Sequence, residues 1–152
     1  MRLIGRYASP FVRRVAVTMQ VQGLPYTHVP MMPFGPEKSE LTRFNPVARV
    51  PVLELDDGEC LIDSMAILDH LESLVAPERA LVPREGPERR HVLSRLAVMQ
   101  GVSDKLVAVL YECHFRPREL WHRPWIDACE TQIRDGFAWL EDAFEGDWLT
   151  GE

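Results

Sequence analysis

Val50-Pro51-Val52-Leu53-Glu54-Leu55-Asp56-Asp57-Gly58-Glu59-Cys60-Leu61-Ile62-Asp63-Ser64 holds two strands, the turn between them and the start of a helix. Val50 to Leu55 is an apolar run of strand length. Asp57-Gly58 is a two-residue hairpin signal, because this pair accepts the backbone angles that a tight turn requires. Glu59 to Ile62 is therefore expected to return antiparallel. Ser64 then precedes a helix with Ile67, Leu68, Leu71 and Leu74 as its buried face.

Upstream, Leu3 and Ile4 open a short apolar segment that ends near Tyr7 and reads as a strand. Ser9-Pro10 is a helix start: serine is a favoured N-cap and proline suits the first helical position. Val12, Val15 and Met19 recur at helical spacing and define a buried stripe, with Arg13, Arg14 and Gln20 off it. Gly23 is a natural residue just past a helix end. Tyr26 to Val29 is a second strand, stopped by Pro30. From Pro30 to Phe44 the composition predicts a loop with a short, poorly packed helix.

Downstream, Ala76 to Pro87 contains three prolines and a glycine and reads as a linker. A long helical pattern then runs from Pro87 to Phe115, with Val92, Leu96, Met99, Val102, Leu106 and Leu110 recurring along it. Arg116-Pro117 interrupts it, and a further helix is expected from about Pro124 to Phe144. No strand signal follows residue 62. The coarse order is β-α-β-(α)-β-β-α and then helices, a compact α/β layer followed by an all-helical part.

The 152 residues carry 17 basic and 23 acidic side chains, a formal net charge of −6. That balance argues against nucleic acid as a partner, since phosphate backbones need clustered Lys and Arg. The three cysteines, Cys60, Cys113 and Cys129, are widely spaced and form no Cys-x-x-Cys pair. Neither a zinc ribbon nor a dithiol motif is supported, and a reducing compartment fits. The five histidines have no ligand spacing, so no metal is expected. The N-terminus lacks a signal-peptide apolar stretch, and no apolar run approaches membrane-spanning length. The expected setting is cytoplasmic, away from membranes.

Three segments, in this order and at these separations, resemble the glutathione S-transferase family. They are Tyr7-Ala8-Ser9-Pro10-Phe11-Val12-Arg13-Arg14-Val15, Asn45-Pro46-Val47-Ala48-Arg49-Val50-Pro51-Val52-Leu53, and Asp57-Gly58-Glu59-Cys60-Leu61-Ile62-Asp63-Ser64-Met65-Ala66-Ile67. The resemblance covers the N-terminal half closely and the helical half loosely. It implies a thioredoxin-like glutathione-binding domain over residues 1–76, a linker over 77–87, and the start of an all-helical domain over 88–152. It also implies a cytosolic enzyme of the bacterial, serine-using type, with glutathione as co-substrate, no other cofactor, and a homodimeric assembly.

Glutathione chemistry gives these residues their expected roles. A free cysteine thiol has a pKa of about 8.5, so only a few per cent is thiolate at neutral pH. A hydroxyl at a helix N-terminus stabilises the anion, because exposed N–H groups and the helix dipole favour negative charge. By resemblance Ser9 is that catalytic hydroxyl; on its own it reads as a helix cap. Tyr7, the donor in other branches of the family, reads as packing. The family's cysteine-using branches have Cys where Ser9 stands. Val50-Pro51 resembles the family's cis-proline turn, whose backbone pairs with the cysteinyl part of glutathione. Arg49 is placed to meet a glutathione carboxylate. Asp63-Ser64 matches the family's acidic-residue-plus-serine pair: Ser64 and the helix start would take the γ-glutamyl carboxylate, and Asp63 its ammonium. The family usually has Glu at that acidic position, which leaves Asp63 one methylene shorter. Asp104 would reach the γ-glutamyl end across a two-fold dimer. Tyr111 and Phe115 are candidates for the lining of an electrophile pocket.

In the family the helical domain continues into a helix with a Ser/Thr-x-x-Asp capping box. The sequence ends at Asp147-Trp148-Leu149-Thr150-Gly151-Glu152, before that place, so the helical domain is expected to be incomplete. Three functions follow from the resemblance: a transferase conjugating glutathione to a small electrophile, a glutathione-dependent isomerase or reductase, and a non-catalytic ligand- or protein-binding module. The short Asp63 and the curtailed helical part favour the last.

Overall fold

A computed structural model describes residues 1–144 of the chain. Asp147 to Glu152, where the family's next helix was expected to approach, lie outside the described residues. The chain divides into two compact units, Met1–Leu81 and a second from Val82 onward.

The first unit is built on a four-stranded sheet of β1 (Arg2–Ile4), β2 (Thr27–Val29), β3 (Val52–Glu54) and β4 (Cys60–Ile62), in the order β2-β1-β3-β4. β1 is parallel to β2, and the other neighbours are antiparallel. α1 (Pro10–Val21) makes the crossover from β1 to β2, and α3 (Ser64–Ser73) follows the hairpin. The short helix α2 (Lys38–Leu41) lies between the two β pairs in sequence. This is the thioredoxin-like half that the sequence implied.

Strand alternation divides the core. Leu3 stands opposite Leu53 and both enter one cluster with Val12, Val15, Ala16 and Met19 of α1 and Ile67 and Leu71 of α3. Ile4 stands opposite Val52 and both enter a second cluster with Met31, Leu41 and Ala48. Each large side chain buried in this way contributes about 1.5–3 kcal/mol before entropy is counted. The α1 stripe is as expected: Val12, Val15 and Met19 are all fully buried.

In this unit three sequence expectations need correction. The first strand ends at Ile4, short of Tyr7, because Gly5 turns the chain at φ 129°. The helix in the 30–44 segment is short, as expected, and only Leu41 anchors it in the core; Lys38, Ser39 and Glu40 are exposed. The hairpin loop is one residue longer than Asp57-Gly58: Gly58 N–H donates to Leu55 C=O at 3.1 Å, and Leu55 N–H pairs with Glu59 C=O at 2.8 Å. On α3, Leu74 is 47% exposed and Val75 is buried in its stead, because α3 ends at Ser73 and the chain direction changes.

The second unit is helical throughout its described residues. α4 (Gly86–Phe115) and α5 (Arg123–Asp142) pack against each other, joined by a short turn at Arg118–Leu120. Val92 and Val102 of α4 and Ile126, Cys129 and Leu140 of α5 are buried. The expected apolar stripe of α4 is only partly covered: Met99, Leu106 and Leu110 are exposed. Among the described residues no helix is long and apolar enough to cross a membrane.

Candidate functional site

Ser9 is the N-cap of α1, in extended conformation at φ −71° and ψ 126°, followed by Pro10 at the first helical position. Its hydroxyl oxygen accepts from Val12 N–H at 3.4 Å. That distance is beyond the usual hydrogen-bond range, so the cap is weak. The bond also occupies only a lone pair, and the hydroxyl hydrogen stays available to a further acceptor. Capping by itself therefore leaves the Ser9 hydroxyl hydrogen uncommitted. Arg13 Nε donates to Tyr7 C=O at 3.0 Å and anchors the loop that precedes the helix.

Tyr7 is engaged elsewhere. Its hydroxyl shares a 3.0 Å hydrogen bond with Tyr26 Oη, and its ring stacks on His28 at 3.9 Å. The Tyr26 hydrogen bond, and to a lesser extent burial, push its pKa from 10.0 up to about 12. A phenol so placed is a poor proton donor at neutral pH.

The Val50–Pro51 peptide bond is cis. Pro51 is buried, and the β1–β3 ladder begins only at Val52 opposite Ile4, so Val50 lies just beyond the last strand pairing. Gly5 allows this turn to close on β1 and α1: a Cβ there would lie 2.6 Å from Val12 Cγ2 and 2.9 Å from Val50 Cβ. Asn45, nearly fully buried, shapes the approach. Its Nδ2 donates to Arg49 C=O at 2.8 Å, and its Oδ1 accepts from Val47 N–H at 3.0 Å. Between them Ala48 sits at φ 49°. Sequence reasoning quoted Asn45 within a motif without giving it a role; the Asn45-Pro46 step, which favours a turn, was the available signal. Arg49 itself is exposed.

The hairpin delivers its chain into α3 through Asp63, at φ 73°. Asp63, not Ser64, is the N-cap, accepting from Met65 N–H at 2.8 Å. Ser64 is the first helical residue and is 2% exposed. Its Oγ accepts a short hydrogen bond from Arg14 Nη2. Arg14, off the buried stripe of α1, reaches across to α3. The first turn of α1, the Val50-Pro51 turn and the start of α3 are thus linked by contacts through Val12, Gly5 and Arg14. Ser9, Val50, Pro51, Asp63 and Ser64 all belong to this one unit, with Arg49 on its surface.

Asp104 belongs to the other unit, exposed on α4, with Gln100 Nε2 at 3.4 Å. Tyr111 and Phe115 meet edge to face at 5.3 Å on the same helix. Cys129 is buried and Cys113 half-buried, in keeping with packing roles. Burial, with Glu54 nearby, raises the Cys60 thiol above its ordinary pKa, so it is a poor nucleophile. Among the described residues no three His, Cys, Asp or Glu side chains gather as a metal site.

Such a sheet, with a helix crossing from β1 to β2 and a cis-proline turn leading into β3, defines a thioredoxin-like fold. The family model for the glutathione S-transferase N-terminal domain matches residues 3–79. The chain belongs to the glutathione S-transferase family. It is 34% identical over 148 residues to the uncharacterised GST-like protein YibF of Escherichia coli K12, covering 90% of this chain and 71% of that protein. A glutathione transferase family member from Pseudomonas fluorescens Pf-5, crystallised with bound glutathione, superposes with a TM-score of 0.83 at 34% identity, over 93% of this chain and 70% of that one. Maleylacetoacetate isomerase of Pseudomonas aeruginosa is 34% identical over 105 residues, 66% of this chain and 49% of the enzyme.

Proposed function

We propose that this protein binds glutathione in its first unit, activates the thiol through Ser9, and transfers it to a small electrophile. The observation that carries this is Ser9 itself: a hydroxyl at a helix N-terminus, weakly capped and with its hydrogen uncommitted by the cap. The tripeptide's cysteinyl backbone pairs with Val50 beside Pro51, its γ-glutamyl carboxylate meets Ser64 and the start of α3, and Asp63 faces the ammonium. Arg49 approaches a carboxylate from the surface. The protein acts in the cytoplasm as a homodimer, with Asp104 of one copy completing the other's γ-glutamyl subsite and an electrophile pocket that includes Tyr111 and Phe115. Glutathione is a co-substrate, and no further cofactor is invoked.

At neutral pH the chemical task is to shift the thiol toward thiolate. The Ser9 O–H donates to the sulfur, and the helix dipole adds a fixed favourable field. Removal of one such preorganised donor costs about 10²-fold or more in turnover. Ser9→Ala is expected to lose kcat at that scale, to lose the thiolate absorbance that appears on binding, and to keep glutathione affinity within a few-fold. Full turnover in Ser9→Ala would remove the serine from the mechanism.

A second reading is a glutathione-dependent isomerase, in which the same activated sulfur adds to an unsaturated acid and leaves again after bond rotation. The likeness to maleylacetoacetate isomerase favours it. Assay of a cis-configured unsaturated diketo acid against a conjugation substrate separates the two: isomerisation regenerates glutathione, and conjugation consumes it.

A further inference from the structure

The geometry points to Arg14 as a positioning residue for a carboxylate-bearing ligand: it orients the Ser64 hydroxyl so that its hydrogen faces the γ-glutamyl carboxylate. This inference rests on the glutathione site proposed above and gives a role to a residue that the resemblance left without one.

Arg14 lies one turn into α1, four residues after Pro10. Its guanidinium carbon is 5.8 Å from the Phe11 ring centroid, and Phe11 is itself buried. That is within cation–π range of the ring, and the planar guanidinium fork fixes the directions of its N–H groups relative to one another. From there Nη2 donates to Ser64 Oγ, on a residue 50 positions away. Direction follows from chemistry. Arginine has five donors and no acceptor, so the serine oxygen must accept. The Ser64 hydrogen cannot return to Arg14 and is left to donate to something else.

Three features make that something an anion. Ser64 is the first residue of α3, where the helix N–H groups concentrate partial positive charge. Asp63 turns one carboxylate oxygen back onto Met65 N–H, which engages part of its negative charge with its own helix. A hydroxyl that accepts from a cation is polarised and becomes a stronger donor. Together these set a directed O–H, backed by a full positive charge, at the place where the γ-glutamyl α-carboxylate would sit. A lysine would supply the charge without the planar fork.

A strut that merely ties α1 to α3 would stabilise the protein without discriminating between ligands, and this separates the two roles. Calorimetry on the full chain would use glutathione and 4-aminobutanoyl-Cys-Gly, the same tripeptide without the γ-glutamyl α-carboxylate. The wild type is expected to prefer glutathione by about 10- to 100-fold, the scale of a charged hydrogen bond. R14M is expected to cut that preference to within a few-fold while binding of the analogue stays unchanged, and to have no further effect on it in an S64A background. Equal weakening of both ligands in R14M, or an undiminished preference, overturns the assignment and leaves the tripeptide site standing. Failure of the wild type to bind either ligand removes the site and this inference with it. If R14M does not fold by circular dichroism, the same ratio is read in R14K, where at least a threefold drop is expected and an unchanged ratio counts against the proposal.

Discussion

A serine hydroxyl has one hydrogen and two lone pairs, and at Ser9 the cap engages a lone pair. At Tyr7 the phenol oxygen, two residues earlier, is bound to Tyr26, so two neighbouring hydroxyls have different tasks. The Tyr7 pKa is raised from 10.0 to about 12 because its neutral, hydrogen-bonded form is favoured. The resulting stabilisation is fully present below about pH 10 and is lost as pH rises through about 12. Nothing in that window touches physiological pH. Tyr7→Phe is therefore expected to leave the pH profile of kcat/KM between about pH 6 and 9 unmoved, the range a tuned thiol would occupy; a profile displaced by half a unit or more would return Tyr7 to the mechanism. Asn45 is the other residue whose side chain acts through atoms the sequence does not reveal. Its amide serves as a brace for Arg49 C=O and Val47 N–H. Asn45→Ala leaves these two groups without that partner, which is expected to cost about 2 kcal/mol by denaturant unfolding and to raise the glutathione KM more than it lowers kcat. Ser9 was legible because capping chemistry writes itself into adjacent residues. The partners of Asn45 and Arg14 were not, because each depends on how distant or turned-back chain segments are brought together.

Elements repeat this division. α1 was readable at both ends: Ser9-Pro10 starts it and Gly23 follows its Gln22 cap. α3 was readable as a helix, but its cap shifted by one residue to Asp63, which the hairpin holds at positive φ. For α4, periodicity located the helix but overstated its buried face, because a repeat of apolar residues does not say which of them a neighbour covers. α4 and α5 approach closely at Gly136, where a Cβ would lie 2.4 Å from Val102 Cγ2. Gly136→Ala gains about 1 kcal/mol of helix propensity and meets an overpacking cost of about 1–3 kcal/mol against a stiff β-branched side chain. A net loss of about 1 kcal/mol in thermal or urea unfolding is expected, relieved when Val102→Ala is added. Additive losses in the double variant would rule out that contact as the cause.

At the scale of the molecule, the proposed glutathione contacts other than Asp104 lie within Met1–Leu81. Ligand binding to the native state alone stabilises it by about 2.7 kcal/mol at a ligand concentration of 100 Kd. Hydrogen exchange at saturating glutathione is accordingly expected to slow most at the first turn of α1, around Val50, and at the start of α3. Protection confined to α4 and α5 would place the ligand elsewhere. The two units also differ in how their cores are closed. The first has a sheet whose alternating faces are each covered, whereas α4 and α5 keep Leu110, Phe115, Trp125, Phe137 and Trp139 exposed among the described residues. The chain spans 71% of YibF and 70% of the Pseudomonas fluorescens relative.

Local grammar determined the strand–helix–strand unit, the hairpin and the succession of helices, because capping, turn propensity and periodicity act over a few neighbouring residues; the three motifs marked the family by resemblance. Tertiary structure alone decided the sheet order β2-β1-β3-β4, the engagement of Tyr7 by Tyr26 and the reach of Arg14 to Ser64. These depend on where buried side chains come to rest once distant segments share one core, and a hydrogen bond between residues 50 positions apart leaves no period or spacing in the chain that makes it.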